Sequence, residues 1–142
     1  MQLLQIGFCL VVGVMVSAVP AQAEKQALSK SLMECSLVFE VNKNMAKDMG
    51  RVREKDVLKK YDKAIEAFRD ASEDEARKEG VPNRLSYMKD MEKELRPKWQ
   101  EKYGTIAQMT DVTKLPKEME DIMDWIEYCS KLGKNLGFLP IK

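Results

Sequence analysis

The sequence predicts an all-α protein, an antiparallel bundle of about four helices whose first and last members are joined by one disulfide. Three observations carry that expectation. Apolar residues recur at spacings of three and four along most of the chain. No segment alternates apolar and polar residues between hairpin turns, and β-branched residues are sparse. Cys35 and Cys129 fall on the apolar stripes of the first and last helical segments.

A different kind of segment precedes the bundle. Residues 1–23 carry no charge, and all 24 basic and 23 acidic residues of the 142-residue chain follow them. Residues 6–16 are apolar without a break, Pro20 follows, and Ala21-Gln22-Ala23 stands directly before the first charges, Glu24 and Lys25. An apolar core, a helix-breaking proline and a small-x-small triplet describe a secretory signal peptide cleaved after Ala23, although its first residues hold no Lys or Arg. The chain then divides into a signal peptide, 1–23, and a single α-helical domain, 24–142, that works in the periplasm or outside the cell. An uncleaved anchor is the rival, because residues 3–19 approach the shortest membrane span, about 17 residues. Pro20 and the Ala-Gln-Ala triplet count against it, so no stable membrane insertion is expected after cleavage. Cys9 lies too near the start to be a lipoprotein cysteine.

Loss of Cys9 leaves Cys35 and Cys129, 94 positions apart. An even pair in an oxidising compartment reads as one intramolecular disulfide. Closing so long a loop stabilises a fold by roughly 4–5 kcal/mol on the chain-entropy argument, less any strain. Two buried free thiols are the alternative reading. No Cys-x-x-Cys pair is present, so a thioredoxin-like role has no support.

The first helix places Leu28, Leu32, Cys35, Phe39, Asn42, Ala46 and Met49 on one face, and Gly50 is placed to end it. Asn42 interrupts that stripe, as a buried polar residue that fixes register or as part of a pocket. The second helix uses Leu58, Tyr61, Ile65, Phe68 and Ser72, widened by Val57, Ala64 and Ala71, and stops by Gly80-Val81-Pro82. Ser72-Glu73-Asp74-Glu75 reads as a capping box, a place where this helix can break and restart. The third helix runs through Leu85, Met88, Glu92, Leu95 and Trp99 and ends near Tyr103-Gly104, with Pro97 expected to kink or restart it. Residues 105–113 read as a loop. Pro116 suits the first turn of the last helix, with Asp111 or Thr113 as caps. That helix carries Met119, Ile122, Ile126 and Cys129 on one face, with Met123 and Leu132 beside them, and Gly133 closes it. The tail from Leu136 to Ile141 is apolar enough to dock back on the bundle.

The absence of histidine excludes several chemistries. Ser-His-Asp and Cys-His nucleophiles, HExxH zinc sites, Glu-x-x-His di-iron sites and histidine-ligated haem all need it. No Gly-rich phosphate loop is present, and the acidic groups on the second and last helices lack the glycine that a calcium loop requires. Ser86-Tyr87-Met88-Lys89 matches the Ser-x-x-Lys of penicillin-interacting enzymes, without their other motifs. The expectation is a non-enzyme without a cofactor. A net charge of +1 gives no pull toward nucleic acid. Eight basic residues against four acidic ones between Lys43 and Lys63 read as a solvated face.

Two functional classes remain. The leading one is an exported helical protein that binds another protein, as a chaperone, an inhibitor or immunity protein, or an accessory factor. The alternative is soft-metal binding. Met45 with Met49, Met88 with Met91, and Met119 with Met123 are spaced to share helix faces, and paired thioethers suit Cu(I). Their ordinary role is to fill irregular helical cores or line an adaptable groove. The exported protein is expected to begin at Glu24, and an intact mass that retains residues 1–23 contradicts the signal-peptide reading.

Overall fold

The computed structural model describes residues 20, 26–50, 54–111, 113 and 116–141. The expected signal peptide, residues 1–23, lies outside that set except for Pro20. Four helices follow one another: α1 (Leu28–Asp48), α2 (Lys55–Lys78), α3 (Arg84–Ala107) and α4 (Lys117–Asn135). No strand occurs among the described residues. No helix among them is long and apolar enough to cross a membrane.

Cross-helix contacts fix the directions. Ser29 at the start of α1 meets Glu79 beyond the end of α2, while Lys43 near the other end meets Asp62, so these helices are antiparallel. Lys30 pairs with Glu94, and Arg96 with Glu40, so α3 runs parallel to α1. Lys102 pairs with Asp121 and Trp99 packs on Trp125, which turns α4 back again. The bundle therefore runs up, down, up, down. Cys35 and Cys129 form the disulfide between α1 and α4, with their Cα atoms 5.5 Å apart. Both are fully buried.

α1 is the axis on which the other three helices pack. Every residue from Ser31 to Val38 is buried, although the sequence pattern indicated one apolar face. The difference comes from Ser29, Ser31, Glu34 and Ser36, polar residues outside the predicted stripe that also lie inside. At the two ends of the predicted stripe, Leu28 and Met49 are exposed. Asn42 is half-buried and donates to the Tyr61 hydroxyl at 3.2 Å, which ties α1 to α2.

The helix ends show where local signals held and where packing overruled them. Gly50, Gly80 and Gly137 all have positive φ, the conformation that glycine adopts without a Cβ penalty. At Gly80 the Val81 N–H bonds Ala76 O and the Gly80 N–H bonds Arg77 O, the paired bonds of a Schellman ending. α4 ends the same way around Gly137, with Phe138 N–H on Gly133 O and Gly137 N–H on Lys134 O. Gly133 therefore does not close α4 as expected. It lies buried inside the helix, where a Cβ would fall 2.5 Å from Leu139 Cδ1. Its bare backbone is the floor on which the tail folds back. Phe138 meets Phe68 edge-on at 4.9 Å, so the tail docks as anticipated.

Five further expectations are corrected. α2 runs unbroken through Ser72, because the Ser72 hydroxyl donates sideways to Ser29 O at 2.6 Å instead of capping a new turn. α3 passes Pro97 without restarting: Leu95 and Trp99 anchor it on both sides, and Pro97 itself is exposed. It also continues beyond Gly104 to Ala107, because Tyr103 and Ile106 pack against the core. Pro116 is the N-cap of α4, one position before its first turn. Asp111 accepts from the Thr113 N–H and hydroxyl in a local turn, and no side chain caps α4.

Replacing both disulfide cysteines with alanine is expected to cost about 2–5 kcal/mol in urea unfolding while leaving the helical signal at low temperature intact. Unchanged unfolding midpoints for the oxidised protein and the double variant would contradict the bridge.

Candidate functional site

Three helices around a fourth leave one side of the bundle open. α2 packs on α1 and α3, α4 packs on α1 and α3, and α2 and α4 make little direct contact. The tail from Leu136 to Leu139 partly fills the gap. Beside it a groove of about 360 Å³ remains, between α2 and the tail. Ala67, Asp70, Ala71, Asp74, Glu75 and Lys78 supply the α2 wall. These positions share one helix face by their three- and four-residue spacing. Leu32 closes the floor, and Leu136 and Phe138 form the opposite wall. Ala67 and Ala71 contribute only methyl groups to this wall. Leu136 is 46% exposed, so apolar surface is open to an incoming group.

The charges along this wall are mostly acidic. Glu75 holds Lys78 at 2.9 Å, and Asp74 meets Arg77 at a looser 3.5 Å on the exposed flank. Asp70 stands exposed one turn earlier. Three carboxylates thus border an apolar floor with one ammonium among them.

On the α3–α4 side of α1 lies a buried polar centre. Glu34 is fully buried in α1. Its carboxylate accepts from the Lys98 ammonium, from Trp99 Nε1 at 3.1 Å and from Gln26 Nε2 at 2.9 Å. Gln26 also donates to Ser31 Oγ at 3.2 Å. The Lys98 ammonium lies 4.9 Å from the Trp99 ring and 5.5 Å from the Trp125 ring, a cation–π arrangement. Burial of a carboxylate is tolerable only with such company. The group ties α1 to α3 from within.

Two more networks fasten α1. The Ser29 N–H and hydroxyl donate to Glu79 at 3.0 and 2.6 Å, which leaves the Tyr87 hydroxyl as donor to Ser29 Oγ at 3.0 Å. A carboxylate from the end of α2 therefore satisfies donors at the positive end of α1, whose own N-cap, Ala27, cannot. Farther along, Arg96 donates to Glu40 at 2.8 Å and to Glu92, which also accepts from Arg69 at 2.9 Å. The hydrogen bond from Arg96, helped by the charge of Arg69, holds the Glu92 carboxyl below the usual carboxylate range. This network links α1, α2 and α3 by charge.

The methionines picked out by spacing differ in burial. Met45 and Met91 lie in the core, Met88 is half-buried with its sulfur 3.5 Å from the Ser72 hydroxyl, and Met119 packs half-buried against the core. Met49 and Met123 are 54% and 55% exposed. Two of the three pairs, Met45 with Met49 and Met119 with Met123, thus divide between interior or half-buried and solvent positions. Among the described residues no group of three or more Cys, Asp or Glu is arranged to hold a metal ion. Ser86 and Lys89 are exposed in the first turns of α3, where the Ser86 N–H bonds the Asn83 cap. Sequence reasoning missed Glu34, Glu79, Asp70 and the Asn83 cap. Only Asn83, directly before a helical stripe, had a local signal that could have shown it.

No protein-family model, curated protein or solved structure matches the chain.

Two measurements test this account. Lys98→Met leaves Glu34 buried without its cation and should cost about 3–5 kcal/mol in urea unfolding, more than the Lys98→Met/Glu34→Met double variant. A double variant as unstable as the single one would remove the charge argument. Glu92 has a depressed folded-state pKa, so its contribution is complete above its ordinary value of 4.5 and is lost as pH falls through the lower folded value. Stability of the Glu92→Gln variant should therefore fall less steeply below about pH 4.5 than that of the wild type. Parallel acid limbs would refute the assignment.

Proposed function

We propose that the protein is exported, to the periplasm or the cell exterior, and acts by binding another protein. The observation that carries this reading is the groove between α2 and the tail. It is an open, partly apolar recess on a scaffold whose buried Ser29, Glu34 and Ser72 side chains are internally partnered. The buried disulfide and the signal-like residues 1–23 support the oxidising compartment. The internal fastening of α1 favours a rigid surface over a mobile one, and pre-organisation of that kind lowers the entropic cost of association.

The test uses the full-length exported protein carrying a photo-crosslinking residue at one position at a time. The positions are Asp70 beside the groove, and Lys93 and Glu127 on exposed faces away from it. A reproducible adduct with one identified protein at any of these sites supports a binding role, and adduct formation at Asp70 alone places the contact at the groove. No specific adduct at any position, in cells where the protein is abundant, sinks the reading.

A further inference from the structure

We propose that the groove between α2 and the tail receives a short segment of a partner protein that presents a large apolar side chain flanked by Lys or Arg. The proposal deepens the protein-binding reading above and rests on it.

The recess has two chemically distinct parts. Its floor and tail wall are apolar, from Leu32, Ala71, Leu136 and Phe138. The α2 rim is mainly acidic, with Asp70, Asp74 and Glu75 against Lys78 and, on the outer flank, Arg77. A volume of about 360 Å³ lies at the small end of ligand sites, about 300–1,000 Å³, and suits one or two side chains rather than a whole helix face. A purely apolar group would gain the floor but leave the carboxylates next to it poorly solvated. A purely basic one would gain only exposed ion pairs, each of small worth. A segment with both kinds of side chain satisfies the two parts together, and charge complementarity also fixes its orientation and speeds its arrival.

The internal partnering of the rim sharpens the argument. Glu75 already holds Lys78, and Asp74 meets Arg77 only at 3.5 Å with both side chains more than half exposed. An incoming cation can thus take Asp70 and Asp74 without breaking a buried bond. The tail wall is held in place by Gly133 beneath Leu139 and by the edge contact of Phe138 on Phe68. The apolar face is therefore formed before the partner arrives.

The experiment titrates the oxidised protein into a fluorescein-labelled peptide in which leucines alternate with lysines, read by anisotropy. Controls replace the leucines by serine or the lysines by glutamate. Saturable binding of the first peptide, weakened about tenfold or more by either control and by Asp70→Lys/Asp74→Lys, supports the proposal. Both substitutions sit on the exposed rim, and far-UV circular dichroism confirms that the helices persist. Ala67→Leu, which fills the groove without changing charge, should weaken binding as well. Equal binding of the serine control, or no effect of either set of variants, overturns it in favour of diffuse electrostatic attraction. Self-association abolished by Asp70→Lys/Asp74→Lys overturns it in favour of a second copy of the chain. If the leucine–lysine peptide fails while photo-crosslinking finds a partner at Lys93 or Glu127, the groove assignment falls and the binding role stands.

Discussion

Burial of α1 on every side from Ser31 to Val38 is the constraint from which the rest of the bundle follows. A helix that packs against three others has no solvated face on which to place polar residues, yet α1 carries Ser29, Ser31, Glu34 and Ser36 in its first half. Each has a partner. Ser29 meets Glu79 and Tyr87, Ser31 meets Gln26, Ser36 bonds back to Met33 O, and Glu34 meets Lys98, Trp99 and Gln26. These bonds contribute little net stability compared with the same groups in water, but leaving one unmade would be costly. They act as a register device: α2 and α3 must sit where Glu79, Tyr87, Lys98 and Trp99 reach their marks. The disulfide plays the same part for α4.

The central position of α1 also explains the open side. Helices packed around a fourth cannot all touch their neighbours, and here the gap falls between α2 and α4. The tail covers part of it by a local device, a glycine inside α4 that admits Leu139 and a glycine after α4 that turns the chain. What the tail does not cover is the groove. The recess is thus a geometric remainder of the packing, and its chemistry comes from small residues and carboxylates on one face of α2. A patch of this kind on a fastened scaffold is a reasonable place for function, since rigid surroundings hold binding groups in position.

Much of the fold was legible because its signals are local. Spacing of three and four marks helices whatever their surroundings, and glycine after the last periodic residue marks their ends, as at Gly50 and Gly80. The cysteine pair was legible for a similar reason, since both positions lie on periodic stripes. The errors share the opposite cause. Ser72 looked like a cap because its hydroxyl can bond a nearby N–H, but a backbone carbonyl of α1 competes for it. Gly133 looked like a stop because glycine often is one, but here it admits a side chain from the tail. Pro97 and Gly104 looked like breaks, and apolar anchors on either side of them hold the helix together.

The candidate site was the least legible part. Asp74 and Glu75 read as part of a solvated acidic cluster and Ala71 as part of an apolar stripe, while Asp70 and Ala67 carry no local signal, and only the tail opposite them makes a groove. From sequence alone come the helical class, the number of helices, the expected export and the pairing of Cys35 with Cys129, because periodicity, breaker residues and cysteine parity act over a few residues or by simple counting. Only the tertiary structure decides that α1 is the axis, that Glu34 is buried with a cation, and that a groove lies beside α2. Those facts depend on which residues meet across tens of positions, and no local propensity encodes that.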